Sequence, residues 1–356
     1  MWLILENSSK KKILVAPLNW GLGHATRCIP IINALKTLNF EPVIASDGNA
    51  LALLKKEFPE LKAIQLPSYN ITYSKKGNNF KKKLLIDSPH LIKTIKKEKK
   101  LIQKLTEKEQ FSGIISDNRF GVRAKGIPSV FITHQLKVLS GSTTRISTLL
   151  HRNIIAKFDQ CWVPDHDGEH NLSGDLGQSK IESIKTKYLG PLSRFNKENV
   201  EIKYKLLVVL SGPEPQRTLM EQKVVSELKS FKGTVLLIKG LVEIAQKKEM
   251  NNNITVYNYM TSKELEQAIN QSELILSRSG YSTIMDLAKL EKRAFFIPTP
   301  GQFEQEYLAK KLNEEKIAPS CSQDEFQMDM LKNIDHYSGF KSSPFEVDYK
   351  NLFSLF

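Results

Sequence analysis

Short continuous apolar runs alternate along this chain with segments of helical periodicity. Ile13-Leu14-Val15-Ala16, behind Lys11-Lys12, has no polar face, the pattern of a strand buried on both sides. It runs into Asn19-Trp20-Gly21-Leu22-Gly23-His24, and a helix is predicted from Ala25 to about Asn39. The device repeats with strands at 42–47, 63–66, 113–117, 128–133 and 161–164 and a helix at 143–156. After Tyr188-Leu189-Gly190-Pro191-Leu192-Ser193-Arg194 it begins again: strand 206–210, helix 216–230, strands 234–239 and 254–257, helix 262–270. Leu274-Ile275-Leu276 and Ala294-Phe295-Phe296-Ile297-Pro298 then predict two strands, each followed by a helix. Ser282 or Thr283 is expected to cap the first helix, and the second starts near Phe303. Such alternation predicts an α/β protein with parallel doubly wound sheets. We divide it into a first domain over 1–193, a second over 194–340 and a tail over 341–356, with a cleft between the domains. Leu352 and Phe353 are the tail residues that would dock back.

Residues 73–108 break the pattern. They hold twelve lysines, among them Lys81-Lys82-Lys83, with leucines and isoleucines between. From Leu91 the apolar positions recur at helical spacing, giving a basic amphipathic helix. It is either a solvated face or an interfacial helix whose lysines snorkel at anionic lipid. The net charge of +14 calls for an anionic partner. Nucleic acid is disfavoured, because the lysines are not interleaved with aromatics and no recognition motif accompanies them. Cys28, Cys161 and Cys321 are too few and too scattered for a disulfide framework or a cysteine-based zinc site. Asp165-His166-Asp167-Gly168-Glu169-His170 fails the calcium-loop pattern, so no metal site is expected. Met1 to Leu5 is too short for a signal-peptide core, and no apolar run approaches about 18 residues. The expectation is a cytoplasmic protein with at most peripheral membrane attachment.

The candidate chemistry sits where strands give way to helices, the edge at which open α/β sheets bind ligands and helix N-termini favour phosphate. Gly21-Leu22-Gly23-His24 lets backbone approach a ligand, but G-x-G-H-x-x-R is not the dinucleotide spacing. His24 is either a general base on an acceptor hydroxyl or a locally bonded histidine. Ser211, Gly212 and Arg217 follow the first strand of the second domain and suit a diphosphate, or simply a capped helix start. Ser279, Gly280 and Asp286 follow Leu276, Asp286 being suited to two ribose hydroxyls or to dipole complementation. Gln305 and Glu306 suit sugar hydroxyls, and Arg194 a phosphate at the join. Asp117, Asn118, Arg119, His134 and Gln135 follow strands of the first domain and are candidate acceptor contacts.

Together, Gly21 to His24, Gly190 to Arg194, Ser277-Arg278-Ser279-Gly280 with Asp286, and Pro300-Gly301-Gln302-Phe303-Glu304-Gln305-Glu306-Tyr307 resemble the GT-B glycosyltransferases. The nearest group is the MurG and diacylglycerol glycosyltransferase set, with its family 28 C-terminal domain. The likeness is strongest over 205–315 and fair at 13–35. It implies two Rossmann-like domains facing a cleft and metal-independent, cofactor-free transfer from a nucleotide-sugar, with inversion. By resemblance Asp286 holds the ribose, Gln305 with Glu306 the sugar, Arg194 and Gly23 line the donor site, and His24 is catalytic. The expected reaction moves a hexose or N-acetylhexosamine, GlcNAc foremost, from a UDP-sugar to a lipid-linked or glycan acceptor in the cell envelope. Residues 73–108 would meet an anionic membrane surface. Three departures stand out: the first loop has one glycine fewer than the family's, Glu306 replaces a glutamine, and His134-Gln135-Leu136 matches His-Glu-Gln-Asn only in part. A UDP-sugar 2-epimerase shares the architecture but needs paired carboxylates, and a non-catalytic sugar-nucleotide binder would bind donor without turnover.

Overall fold

In the computed structural model, which describes residues 10–69, 80–178, 183–241, 243–341 and 346–356, the apolar runs build two sheets. The first contains β1 (Lys12–Pro17), β2 (Glu41–Ser46), β3 (Ala63–Gln65), β4 (Gly113–Asp117), β5 (Ser129–Ile132), β6 (Gln160–Val163) and β7 (Lys185–Tyr188). Its order is β3-β2-β1-β4-β5-β6-β7, and every pair is parallel. The second contains β8 (Tyr204–Val209), β9 (Val235–Ile238), β10 (Lys248–Asn251), β11 (Ile254–Tyr257), β12 (Ser272–Ser277) and β13 (Arg293–Phe296), in the order β10-β11-β9-β8-β12-β13. Helices cover these sheets: α1 (Gly23–Thr37), α2 (Gly48–Glu57), α3 (Phe80–Glu109) and α4 (Thr144–Ile155) with the first, α5 (Gln216–Leu228), α6 (Ser262–Asn270), α7 (Tyr281–Lys289) and α8 (Phe303–Glu314) with the second.

This is the GT-B architecture the resemblance implies. Ile13 to Ala16 and Leu206 to Val208 are fully buried, as strands covered by helices on both faces must be. The strand order reverses between β1 and β4 in one sheet and between β8 and β12 in the other. Each reversal opens a crevice at the carboxyl ends of the strands. The two crevices face each other.

Three local expectations change, and a fourth, the docking of the tail, holds. The helix after β12 is capped by Gly280 in extended backbone, without a side-chain bond, because Ser282 Oγ instead donates to the Gly23 carbonyl across the cleft at 2.9 Å. The exposed strand β10 pairs antiparallel with β11 and has no apolar face to announce it. The basic helix α3 is longer than its apolar spacing suggested and continues through Pro89, while residues 73–79 of that segment lie outside the described residues. The tail crosses back to the first sheet. Its short helix α9 (Tyr349–Phe353), capped by Asp348, sets Phe353 edge-on to Phe40 at 5.9 Å and beside Trp162 at 6.3 Å. Phe356 lies so close over Gly113 that a Cβ there would come within 2.1 Å of its ring. Lys11 Nζ donates to the Phe356 carbonyl at 2.7 Å.

Phe353 is buried at 2% exposure. Phe353→Ala should therefore lower stability by about 3–5 kcal/mol, the usual cost of a buried ring. Urea unfolding checks this, and a loss below about 1 kcal/mol would mean that the strap does not hold the first sheet.

Candidate active site

Gly21, at φ +72°, turns the chain from β1 into α1, so that His24 opens the helix at the wall of the cleft. Its Nδ1 lies 2.8 Å from Asp117 Oδ1 at the end of β4. Burial lowers the imidazole pKa; Asp117 opposes this and Arg27 adds to it, leaving His24 below its ordinary value. Burial raises the Asp117 carboxyl, but Arg27 and His24 more than offset that and bring it to about 2. A neutral imidazole thus rests on an ionised carboxylate. With Nδ1 engaged, Nε2 is the nitrogen left to serve a ligand.

His134 and Gln135, beyond β5, reach across the cleft. His134 Nε2 is 2.7 Å from Glu304 Oε1, and Gln135 Nε2 donates to Glu304 Oε2. His134 also stacks on Tyr281 of α7, with ring centroids 4.1 Å apart. Burial would raise the Glu304 carboxyl, but His134, with His24 and Arg27 beyond it, holds it below the ordinary range.

On the opposite wall Asp286 accepts a hydrogen bond from Ser193 Oγ at 2.7 Å. Burial raises its pKa to about 6, against the pull of Arg194 and the Ser193 bond. The Arg194 guanidinium lies over the Phe195 ring at 4.7 Å. Burial lowers its pKa, while Asp286, Glu57 and Glu266 oppose. Its Nε is buried and finds no hydrogen-bond partner among the described residues. An unsatisfied cationic donor facing a cleft is poised for an anionic ligand. Ser211, Gly212, Gly280 and Gln305 complete this wall, and Gly23 lines the opposite one.

Several sequence candidates lie elsewhere. Glu306 turns away from the cleft and accepts from the Gly301 N–H at 2.8 Å, so the acid beside Gln305 at the cleft is Glu304. Gln305 Oε1 caps the Thr299 N–H at 2.8 Å, and Ser279 Oγ donates to the Gln305 carbonyl at 2.8 Å behind the lining. Arg217 is held by Glu214 at 2.6 Å and Glu221 at 2.7 Å and does not reach the cleft. Arg119 is fully buried between Glu98 and Asp47, both at 2.6 Å, and ties α3 to the sheet. Asn118 takes φ +56° at the turn after β4, outside the lining. Asp117 stands behind His24 and orients it. In the loop at 165–170, Asp165 accepts from the Leu172 and Ser173 N–H groups at 2.9 and 2.8 Å, a loop staple.

Sequence reasoning missed Glu304 because an acid in a first helical turn is ordinary. It missed Trp20, which lines the cleft between β1 and Gly21. It also gave Arg278 no role. This arginine is 1% exposed and binds the carbonyls of Ile297, Pro298 and Gln216 at 3.1, 2.9 and 2.9 Å, fastening together the junctions that follow β8, β12 and β13. Burial lowers its pKa to about 9.

Residues 206–352 match the glycosyltransferase family 28 C-terminal domain. Over 368 residues, 97% of each chain, the protein is 22% identical to the UDP-N-acetylglucosamine--N-acetylmuramyl-(pentapeptide) pyrophosphoryl-undecaprenol N-acetylglucosamine transferase of Clostridium tetani (strain Massachusetts / E88). The enzyme of the same name from Sulfurihydrogenibium sp. (strain YO3AOP1) is 28% identical over 134 residues, and that match spans only 36% of each chain. Among solved structures, the spinosyn rhamnosyltransferase SpnG complexed with thymidine diphosphate superposes with a TM-score of 0.62 at 13% identity, covering 92% of this chain and 93% of that one. Architecture and domain match agree: the chain is a glycosyltransferase of the GT-B fold whose residues 206–352 match the family 28 C-terminal domain, and it resembles the MurG group.

Proposed function

We propose that this enzyme transfers a hexose or N-acetylhexosamine, GlcNAc foremost, from a UDP-sugar to a hydroxyl of a lipid-linked acceptor, with inversion and without a metal or other cofactor. The observation that carries this reading is the pairing of His24 on Asp117 at one wall with Arg194 and Asp286 at the other. His24 Nε2 takes the proton of the acceptor hydroxyl as that oxygen attacks the anomeric carbon. The bond to the diphosphate oxygen breaks, and charge grows on the leaving nucleoside diphosphate. Arg194 and the N-terminal N–H groups of α5 and α7 meet that charge. Asp286 receives the ribose hydroxyls, and Glu304 with Gln305 the sugar hydroxyls. The thymidine diphosphate in the SpnG complex supports a nucleotide in this cleft, and the names of the two curated relatives support the sugar and the acceptor.

The acceptor's lipid would be met at an anionic membrane surface on the cytoplasmic side. Three of the described apolar residues on α4, Ile146, Leu149 and Leu150, are 64, 61 and 59% exposed at helical spacing beside Arg145. No helix among the described residues is long and apolar enough to cross a bilayer, so attachment would be peripheral.

Four measurements test this reading. A UDP-sugar at about 100 times its dissociation constant should add about 2.7 kcal/mol of stability without metal. His24→Ala should leave donor binding within a few-fold and slow transfer by roughly 10²-fold; undiminished turnover would remove His24 from the mechanism. Asp286 titrates near 6, and its ionised form, which grows as pH rises, is the better acceptor for ribose hydroxyls. Donor affinity measured one unit below and one unit above that value should therefore differ by about tenfold, the weaker at low pH. A flat profile sinks the ribose assignment. Co-sedimentation with vesicles should demand anionic lipid and weaken with salt, and equal binding to neutral vesicles would contradict the electrostatic part.

A further inference from the structure

The spacing His-x-x-Arg places Arg27 one turn beyond His24 on α1, and its side chain, 2% exposed, turns beneath the histidine. Arg27 Nε and Nη2 donate to the two carboxylate oxygens of Asp117. Nη1 lies 3.1 Å from His134 Nδ1, and Nη2 lies 2.8 Å from His24 Nδ1. A guanidinium only donates and an ionised carboxylate only accepts, so these contacts restrict where the imidazole protons sit. His134 Nδ1 faces a donor and must accept. Its proton is then on Nε2, where Glu304 Oε1 stands 2.7 Å away to receive it. His24 Nδ1 faces both Asp117 Oδ1 and Arg27 Nη2. The carboxylate is the stronger acceptor for Nη2, which leaves Nδ1–H to donate to Asp117 and Nε2 with its lone pair.

We propose that Arg27 is a positioning residue that gives the two histidines opposite protonation. It orders Asp117 beneath His24, so that Nε2 can accept a proton, and it makes His134 the donor that holds Glu304 across the cleft. This inference rests on His24 acting as the base and extends it: one buried guanidinium ties proton acceptance on the first wall to carboxylate orientation on the second. The charged and titratable groups facing His24 are Asp117 from β4, Arg27 from α1 and His134 beyond β5, with Glu304 of α8 on the far side of His134. Arg27 lowers the His24 pKa, so removing its charge should raise it. Transfer that needs neutral His24 would then fail at a higher pH.

The test reads proton positions in the substrate-free protein by long-range proton–nitrogen NMR of the histidine rings, assigned with His24→Ala and His134→Ala. The wild-type chain should show Nδ1–H at His24 and Nε2–H at His134. In Arg27→Gln, His134 should lose its single tautomer, and the acidic limb of kcat at saturating donor, where the ionisation of Asp286 no longer limits binding, should move up by at least about half a pH unit. Arg27→Lys keeps the charge without the fork and should hold the limb while freeing the tautomer. A folded Arg27→Gln with an unmoved limb and an unchanged His134 overturns the proposal. If that variant does not fold, the wild-type spectrum decides: a proton on His134 Nδ1 or on His24 Nε2 overturns it equally. Undiminished transfer in His24→Ala would instead remove the base reading while leaving the measured tautomers as they are, so the two failures are distinct.

Discussion

The first wall of the cleft depends on a carboxylate shut away from water. Asp117 is 0% exposed at the end of β4, and Arg27 and His24 make its ionised form tenable. Burying an ion pair gains little net stability, because desolvation opposes the attraction. Losing one partner, by contrast, strands a charge at a cost of about 3–5 kcal/mol. Such a pair is rigid rather than strong. Rigidity is what a general base needs, since a misplaced nitrogen loses rate steeply. β4 holds Asp117 by its sheet register with β1 and β5, Pro17 pairing with Asp117 and Asp117 with Ile132. The sheet therefore fixes the carboxylate, the carboxylate fixes the imidazole, and the glycine turn brings the helix carrying both His24 and Arg27 over it.

The two walls are joined by many small contacts rather than one large one. Ser282 donates to the Gly23 carbonyl, Tyr281 to the Pro164 carbonyl at 2.8 Å, and Ser262 to Glu57 at 2.7 Å. Each is worth about 0.5–1.5 kcal/mol net. They are polar and sit at the mouths of loops, the character of an interface that opens and closes. The apolar strap of Phe353 and Phe356 is different. It is buried against the first sheet although the family 28 domain match extends to residue 352, so the end of the chain returns from the second domain to the first.

The sheets were legible in the sequence because a strand covered on both faces must be apolar throughout, and few other arrangements tolerate such runs. The pairing of His24 with Asp286 across a cleft was legible through the combination of junction motifs. What stayed hidden was direction. Gln305 and Glu306 are neighbours on a helix and point about 100° apart, so a run of polar residues cannot say which one faces the ligand. Glu304 faces it because Phe303 opens the helix where it does. Arg119 and Arg217 appeared at the right strand ends, yet carboxylates distant in sequence for one, and adjacent in the helix for the other, claim them first. β10 was invisible, being exposed along its length and held only by its partner.

The arginines divide the chemistry between the domains. Arg27 and Arg119 in the first domain are each in contact with carboxylates, so neither has charge to offer a phosphate. Arg194 and Arg278, on the second-domain side, have no carboxylate within ion-pair distance among the described residues, and burial lowers the pKa of both. Of the two, only Arg194 lines the cleft; a buried cation without an ion-pair partner is costly until an anion arrives, and in the proposed reaction it draws the diphosphate to the second wall. The first wall presents a neutral imidazole over a balanced ion pair, a surface suited to an uncharged hydroxyl. In the reaction we propose, donor and acceptor are thereby sorted by electrostatics before any specific contact forms.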